Sequence, residues 1–143
     1  MSRSTVWKAD PDVLKFGRAF RGGSLMPGIS IHVVDVSRGI VAAGMRVALY
    51  AVREGRPPEL IASGNLSGTG VLADPELERR FEPGFYEVRF HVADYYRTAT
   101  GASPSVPFLD VINYRFGISD PQAHYHLPMK CTPWGYSCFR GGA

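Results

Sequence analysis

Imidazole side chains carry most of the proton-transfer chemistry in this sequence, because histidine changes its charge near neutral pH. His32 lies in residues 29–36, and His124 and His126 stand two residues apart near the C-terminus. Residues two apart in a strand point to the same face of a sheet. His124 and His126 therefore line either the solvated face of an edge strand or the border of a site, and periodicity alone leaves both interpretations open.

The two C-terminal histidines belong to a stretch with the period of a strand. Its apolar positions are Tyr125, Leu127, Met129 and Cys131, and they alternate with His124, His126, Pro128 and Lys130. Residues 133–135 (Pro-Trp-Gly) interrupt the run, and residues 136–140 resume it. This pattern predicts two antiparallel strands joined by a tight turn.

The two cysteines lie symmetrically about that turn, at Cys131 and Cys138. A hairpin centred on the turn would place them directly opposite each other, where a disulfide requires strained geometry. We predict free thiols in a reducing compartment, and a bridge is the alternative.

The rest of the chain shows short β-type runs separated by turns. Strands are predicted over residues 29–36, 45–52, 59–63, 85–92 and 108–116, and a helix over residues 93–99. In the first strand His32 shares a face with Ser30, Val34 and Val36, while Ile29, Ile31, Val33 and Asp35 take the other. Residues 74–80 form either a helical turn or a polar edge segment. Seven or eight strands with frequent turn signals predict an all-β sandwich.

Length, charge and motifs narrow the class of protein. The chain has 143 residues and a formal net charge of +3, which indicates one domain without the basic stripe of a nucleic-acid-binding protein. No apolar stretch reaches the length of a membrane span. The glycine-rich residues 64–70 lack the lysine of a phosphate-binding loop, and there is no zinc-finger spacing. We expect no nucleic-acid partner, no membrane, no metal and no cofactor.

Residues 1–27 precede the first strand and lack the apolar segment of a secretory signal. We predict that they form a flexible or wrapping extension of a cytoplasmic protein. A single domain follows over residues 28–143.

Three segments resemble the transthyretin-related 5-hydroxyisourate hydrolases of urate breakdown. The first is residues 31–35 (Ile-His-Val-Val-Asp) with residues 42–47 (Ala-Ala-Gly-Met-Arg-Val), and the second is residues 81–91 (Phe-Glu-Pro-Gly-Phe-Tyr-Glu-Val-Arg-Phe-His). The third, and most specific, combines residues 124–128 (His-Tyr-His-Leu-Pro), 133–137 (Pro-Trp-Gly-Tyr-Ser) and 139–142 (Phe-Arg-Gly-Gly). The resemblance covers residues 28–142.

The resemblance implies a transthyretin-like β-sandwich of two four-stranded sheets with one short helix, assembled as a homotetramer. The family's sites lie in a channel between dimers, and its reaction opens the six-membered ring of 5-hydroxyisourate by attack of water on a ring carbonyl. The histidines that it uses correspond to His32 and His126. We expect these two imidazoles to meet across a subunit boundary and to transfer the proton. Transthyretin itself, a hormone carrier, does not keep both histidines.

The family's pocket is altered at three positions. Its loop reads Thr-Asn-x-Asp-Gly-Arg, and Thr69 stands here in place of the Arg that contacts substrate. Its terminal Tyr-Arg-Gly-Ser becomes Phe139-Arg140-Gly141-Gly142, so a phenol and a hydroxyl are lost. We expect Thr69, Phe139, Arg140 and Gly142 to contact substrate, and Arg140 also to anchor the C-terminal strand across subunits.

The sequence-based hypothesis is a cyclic amide hydrolase acting on 5-hydroxyisourate. The altered pocket favours a modified isourate, such as an N-methylated one, or a related heterocycle. One alternative is another ring-opening or rearrangement on the same scaffold. A second is a non-catalytic, transthyretin-type binding protein, so the expected partner is a small heterocyclic molecule in each case.

Overall fold

The structure is a computed structural model that describes residues 26–142 as two four-stranded sheets and one α-helix. The strands are β1 (Gly28–Asp35), β2 (Ile40–Val41), β3 (Arg46–Val52), β4 (Glu59–Asn65), β5 (Gly84–His91), β6 (Val111–Ile118), β7 (His124–Cys131) and β8 (Tyr136–Cys138). Helix α1 covers Val92–Thr100, and a 3₁₀ turn covers Pro75–Glu78. The predicted sandwich of two four-stranded sheets with one short helix is confirmed. The extension predicted over residues 1–27 lies outside the described residues, apart from Met26 and Pro27.

One sheet joins the two ends of the described chain. Its strand order is β2-β1-β7-β8, and that of the other sheet is β4-β3-β5-β6. Strands β1 and β7 pair in parallel, with Ser30 opposite His126 and His32 opposite Pro128. A parallel pair needs a long crossover connection, and here the second sheet and α1 supply it. Residues separated by about ninety positions in sequence therefore become neighbours.

The alternation in β1 and β7 decides which side chains face the core. Ile31, Val33, Leu127 and Met129 are buried between the sheets, where they pack with Val47, Leu49, Val88 and Phe90 of the second sheet. The intervening residues of β1 and β7 must then point to the outer face of their sheet. That outer face carries Ser30, His32, His124 and His126. The period of two predicted that Ser30 shares a face with His32 and His124 with His126, but it did not say which face of β1 is the outer one.

Asp35, at the end of β1, ties this sheet to α1. Its carboxylate is fully buried and accepts hydrogen bonds from Tyr95 Oη (2.9 Å), Tyr96 Oη (2.8 Å) and Ser37 Oγ (2.6 Å). Burial alone would raise the pKa of this carboxyl, but the hydrogen bonds outweigh burial and hold the pKa below its ordinary value. The ionised carboxylate thus fixes α1 against the end of β1.

Strand limits were predicted less well than strand existence. β6 begins at Val111 rather than at residue 108. Val92, predicted as the last residue of a strand, is the first residue of α1. β2 has only two residues, too few to show alternation, and was not predicted. Residues 74–80, for which a helical turn and an edge segment were both considered, contain the 3₁₀ turn.

The predicted pairing of the two cysteines is wrong. In the β7–β8 hairpin Cys131 lies opposite Tyr136, and Cys138 lies opposite Met129. The four-residue connection 132–135 therefore shifts the register by two residues from the symmetric one. Both cysteines are free thiols, and burial raises the pKa of each to about 11.

Within residues 26–142, no helix combines the length and apolar character needed to span a bilayer. The cytoplasmic location expected from the sequence stays a prediction.

Candidate functional site

Ser30 lies between two histidine rings on the outer face of the β1–β7 pair. Its Oγ atom is 2.8 Å from His124 Nε2 and 2.6 Å from His126 Nδ1. The register explains both contacts, because Ser30 pairs with His126 and Gly28 pairs with His124.

The far edge of His124 is also held. Its Nδ1 atom lies 3.1 Å from the carbonyl oxygen of Met26, just before β1. A continuous hydrogen-bonded chain therefore runs from the Met26 carbonyl through His124 and Ser30 to His126. The sequence analysis placed Ser30 on the correct face but gave it no role. The available signal was a hydroxyl side chain two residues before His32, on the same face of the strand.

The His126 side chain is half-buried, and the groups around it do not favour a positive charge on its ring. Burial lowers the pKa of its imidazole below the ordinary 6.5, and the neighbouring His124 and His32 lower it further. No opposite charge compensates among these causes. His126 is therefore neutral at neutral pH, which is the form that accepts a proton.

His32 lies on the same face as His126 and is half-buried. It pairs with Pro128, two residues beyond His126 in β7, so the two side chains stand on neighbouring strands of one face. The effect of His32 on the pKa of His126 agrees with this proximity. Both histidines stand on adjacent strands of one chain, and their meeting across a subunit boundary stays a prediction.

The loop that contains Thr69 is fixed beside His32. Val71 forms an antiparallel bridge with His32, and Val33 N donates to Gly70 O at 2.9 Å. Gly70 has φ +76, and a Cβ atom there would lie 2.8 Å from Val33 O, so only glycine fits this approach. Thr69 is exposed, and its hydroxyl lies 2.9 Å from Ser67 Oγ.

The segment after β8 folds back onto His126. Gly141 N donates to the carbonyl oxygen of His126 at 2.7 Å, and a Cβ atom on Gly141 would lie 2.6 Å from His126 Cδ2. The guanidinium carbon of Arg140 is 4.2 Å from the centre of the Tyr125 ring, so Arg140 anchors this segment within its own chain. Phe139 and Gly142, on either side, are exposed. Whether Thr69, Phe139, Arg140 and Gly142 contact a substrate stays a prediction.

An open cavity of about 580 Å³ adjoins the hydrogen-bonded chain. Its lining includes Met26, Ser30 and His124, together with Leu72, Asp74 and Leu77. In the part of the chain that the structure describes, no three His, Cys, Asp or Glu side chains are grouped to hold a metal ion. His32 and His126 are not among the residues that line this cavity, but Ser30, which contacts both His124 and His126, borders it.

Comparison with protein families gives one match over most of the described chain. Residues 29–141 match the model of the HIUase/Transthyretin family. A 5-hydroxyisourate hydrolase of Deinococcus radiodurans is 44% identical over 117 residues, which cover 80% of this chain and 96% of that protein. A 5-hydroxyisourate hydrolase of Halalkalibacterium halodurans is 40% identical over 114 residues, which cover 79% of this chain and 96% of that protein.

Solved structures show the same fold. A 5-hydroxyisourate hydrolase of Klebsiella pneumoniae superposes with a TM-score of 0.64 at 27% identity, covering 82% of this chain and all of that one. An (S)-allantoin synthase superposes with a TM-score of 0.73 at 32% identity, covering 80% of this chain and 43% of that one.

Proposed function

This chain belongs to the HIUase/transthyretin family, and on that premise we propose that it is a hydrolase that opens the ring of 5-hydroxyisourate. The observation that supports this most is the placement of His32 and His126 on one outer face, with His126 neutral and backed by Ser30. Relatives that span nearly the same length are named 5-hydroxyisourate hydrolases. Their names do not support the modified isourate expected from the altered pocket, so we take the unmodified compound as the substrate.

His126 and His32 are the proposed catalytic pair. His126 takes a proton from water as the water oxygen bonds to the ring carbonyl carbon, and the C–N bond of the cyclic amide then breaks. One imidazole returns a proton to the leaving nitrogen, and the product carries a new carboxylate. Two imidazoles on neighbouring strands suit these two transfers, because an imidazole can both accept and donate a proton.

The proposed substrate contacts are Thr69 from the loop beside His32 and the residues Phe139, Arg140 and Gly142 that surround Gly141. The contact of Gly141 with His126 supports the C-terminal part of this assignment. The bridge between Val71 and His32 supports the loop part. We also propose a homotetramer with sites at the dimer–dimer interface, because the chain resembles the family. Light scattering on the purified protein measures the mass of the assembly and so tests whether it contains four subunits.

The catalytic assignment is tested by His32→Ala and His126→Ala, with His91→Ala as control. His91 lies on β5 in the other sheet. Freshly generated 5-hydroxyisourate is followed by its ultraviolet decay. We expect each site variant to lose about 10²- to 10⁴-fold in kcat, and His91→Ala to match the wild type. Full activity in either site variant contradicts the assignment.

The same assay separates the alternatives. N-methylated isourates are offered in parallel, and faster decay of these than of 5-hydroxyisourate would restore the modified substrate. Saturable binding at one ligand per site without decay would favour a transthyretin-type binding protein instead.

A further inference from the structure

The hydrogen-bonded chain behind His126 has a direction that is set by its first atom. The carbonyl oxygen of Met26 can only accept a hydrogen bond, so His124 Nδ1, 3.1 Å away, must carry a hydrogen. A neutral imidazole carries one hydrogen. The Nε2 atom of neutral His124 is therefore an acceptor, and it lies 2.8 Å from Ser30 Oγ.

Ser30 transmits this direction to His126. Its single hydroxyl hydrogen is used towards His124 Nε2, so its oxygen faces His126 Nδ1 as an acceptor at 2.6 Å. His126 then carries its hydrogen on Nδ1. The lone pair is left on Nε2, the ring nitrogen that takes no part in the chain.

We propose that Ser30 and His124 are positioning residues that hold His126 in the Nδ1–H tautomer, with Nε2 free to act as the base. The inference rests on the proposed function for its catalytic meaning. The arrangement resembles a catalytic triad in that a further group orients the base from behind. Here that group is Ser30, which is held in turn by His124 and the Met26 carbonyl.

The chain needs no rearrangement when His126 takes a proton. Nε2 gains the hydrogen, Nδ1–H continues to donate to Ser30, and Ser30 continues to donate to His124. The bond from the charged ring is stronger than the neutral one, so the network offsets part of the cost that burial and the neighbouring imidazoles impose on the protonated state. This gain appears only when His126 becomes charged, and it is therefore available to catalysis.

Other elements do not supply a competing partner for His126. β1 presents His32 and Ser30, and β7 presents His124, the two rings being those that lower its pKa. The segment after β8 contributes the Gly141 backbone, which bonds to the His126 carbonyl, while the Arg140 guanidinium lies over Tyr125. Within residues 26–142, Ser30 is the side chain that bonds to the His126 ring.

Histidine ring nitrogens report the tautomer directly. The full chain, labelled with ¹⁵N, is studied by two- and three-bond ¹H–¹⁵N correlation spectra above the pKa of histidine, and His126→Ala assigns the ring signals. We expect the Nδ1–H pattern for both His124 and His126 in the wild type. In Ser30→Ala we expect His126 to move to a mixture or to Nε2–H, while Ser30→Thr, which keeps a hydroxyl, retains Nδ1–H.

Kinetics show whether the tautomer matters. Ser30→Ala is expected to lower kcat about ten- to a hundredfold and to change KM less. This loss is smaller than the full contribution of general acid–base catalysis, because His126 itself is still present. Ser30→Thr should recover most of it. The matched control is Ser63→Ala, an exposed serine on β4 of the other sheet, which should leave kcat unchanged.

Each result bears on one proposal. An Nε2–H pattern for wild-type His126, or an unchanged pattern in Ser30→Ala, overturns the positioning role whether or not the protein turns over 5-hydroxyisourate. An Nδ1–H pattern that Ser30→Ala abolishes, in a protein without this activity, supports the positioning role and overturns the proposed function.

Discussion

His126 is a base whose surroundings make protonation harder in the resting protein. Burial and two neighbouring imidazoles lower the pKa of its ring, while the contact with Ser30 keeps the ring in place. A base with a lowered pKa stays neutral to lower pH than free histidine does. The working form is therefore present throughout the neutral range.

The pH dependence of turnover follows from the lowered pKa of His126. We expect kcat/KM to be flat around neutrality and to fall on the acid side with a midpoint below pH 6.5, the ordinary histidine value. Initial rates measured from about pH 5 to pH 8 locate this midpoint. The profile of His91→Ala should overlay that of the wild type. A midpoint above 6.5 would show that the titrating base is not His126 as placed here.

Thr69 is the residue that most limits the proposed activity. It stands where the resembled family has an arginine, and it offers one hydroxyl in place of five fixed donors and a permanent charge. A charge-assisted contact to substrate contributes about 1.5–3 kcal/mol. Its absence corresponds to about one to two decades in rate.

Restoring the guanidinium should therefore raise activity. We expect Thr69→Arg to increase kcat/KM on 5-hydroxyisourate about ten- to a hundredfold. Thr98→Arg, at an exposed position of α1, adds the same charge away from the site and should change little. If Thr69→Arg has no effect or reduces turnover, the loop does not meet substrate in the way proposed.

At the scale of elements, two segments outside β1 and β7 shape the site. The loop 66–72 is fixed to β1 by Gly70 and Val71, and the segment after β8 is fixed to β7 by Gly141. Both approaches depend on glycine, because a side chain at Gly70 or at Gly141 would meet another atom closer than 3 Å. The positions of these segments are therefore determined by contact with the strands that carry the histidines.

The close approach of Gly141 gives a further prediction. In Gly141→Ala the new methyl group would lie too close to the His126 ring, and we expect the ring to shift and weaken its contact with Ser30. We expect kcat to fall about tenfold or more, with little change in thermal unfolding. Gly135→Ala, where a Cβ atom meets nothing within 4 Å, is the control. Equal activity of the two variants would show that the ring tolerates displacement.

At the scale of the whole molecule, the parallel pairing of β1 with β7 makes the histidine pair a property of one chain. An assembly can add residues around the pair, but it does not create the pair. Each subunit then carries both proposed catalytic imidazoles, whatever the number of subunits.

Mixed assemblies test this directly. Subunits with His32→Ala and subunits with His126→Ala are unfolded, mixed and refolded together. We expect activity no higher than that of either variant alone, because no subunit contains both histidines. A mixture of wild type with His32→Ala should retain activity in proportion to the wild-type share. Recovery of activity in the doubly mutant mixture would show that the pair forms between subunits.

The sequence by itself determined the sandwich and the faces of its strands. Alternation in residues 124–131 predicted one apolar and one polar face, because a strand turns successive side chains to opposite sides. The same period placed Ser30 on one face with His32, and His124 on one face with His126. Their residue types pointed to proton transfer.

Only the tertiary structure decided which of these residues meet. The β1–β7 register puts Ser30 opposite His126 rather than one strand position away, and a one-residue slip would have reversed the faces. In the β7–β8 register the two cysteines are not opposite each other, although a symmetric hairpin would have made them cross-strand neighbours. Register depends on packing between distant segments and on the length of connections. Local periodicity gives no information about either. The series of hydrogen bonds from Met26 through His124 and Ser30 to His126 was therefore not predictable from sequence.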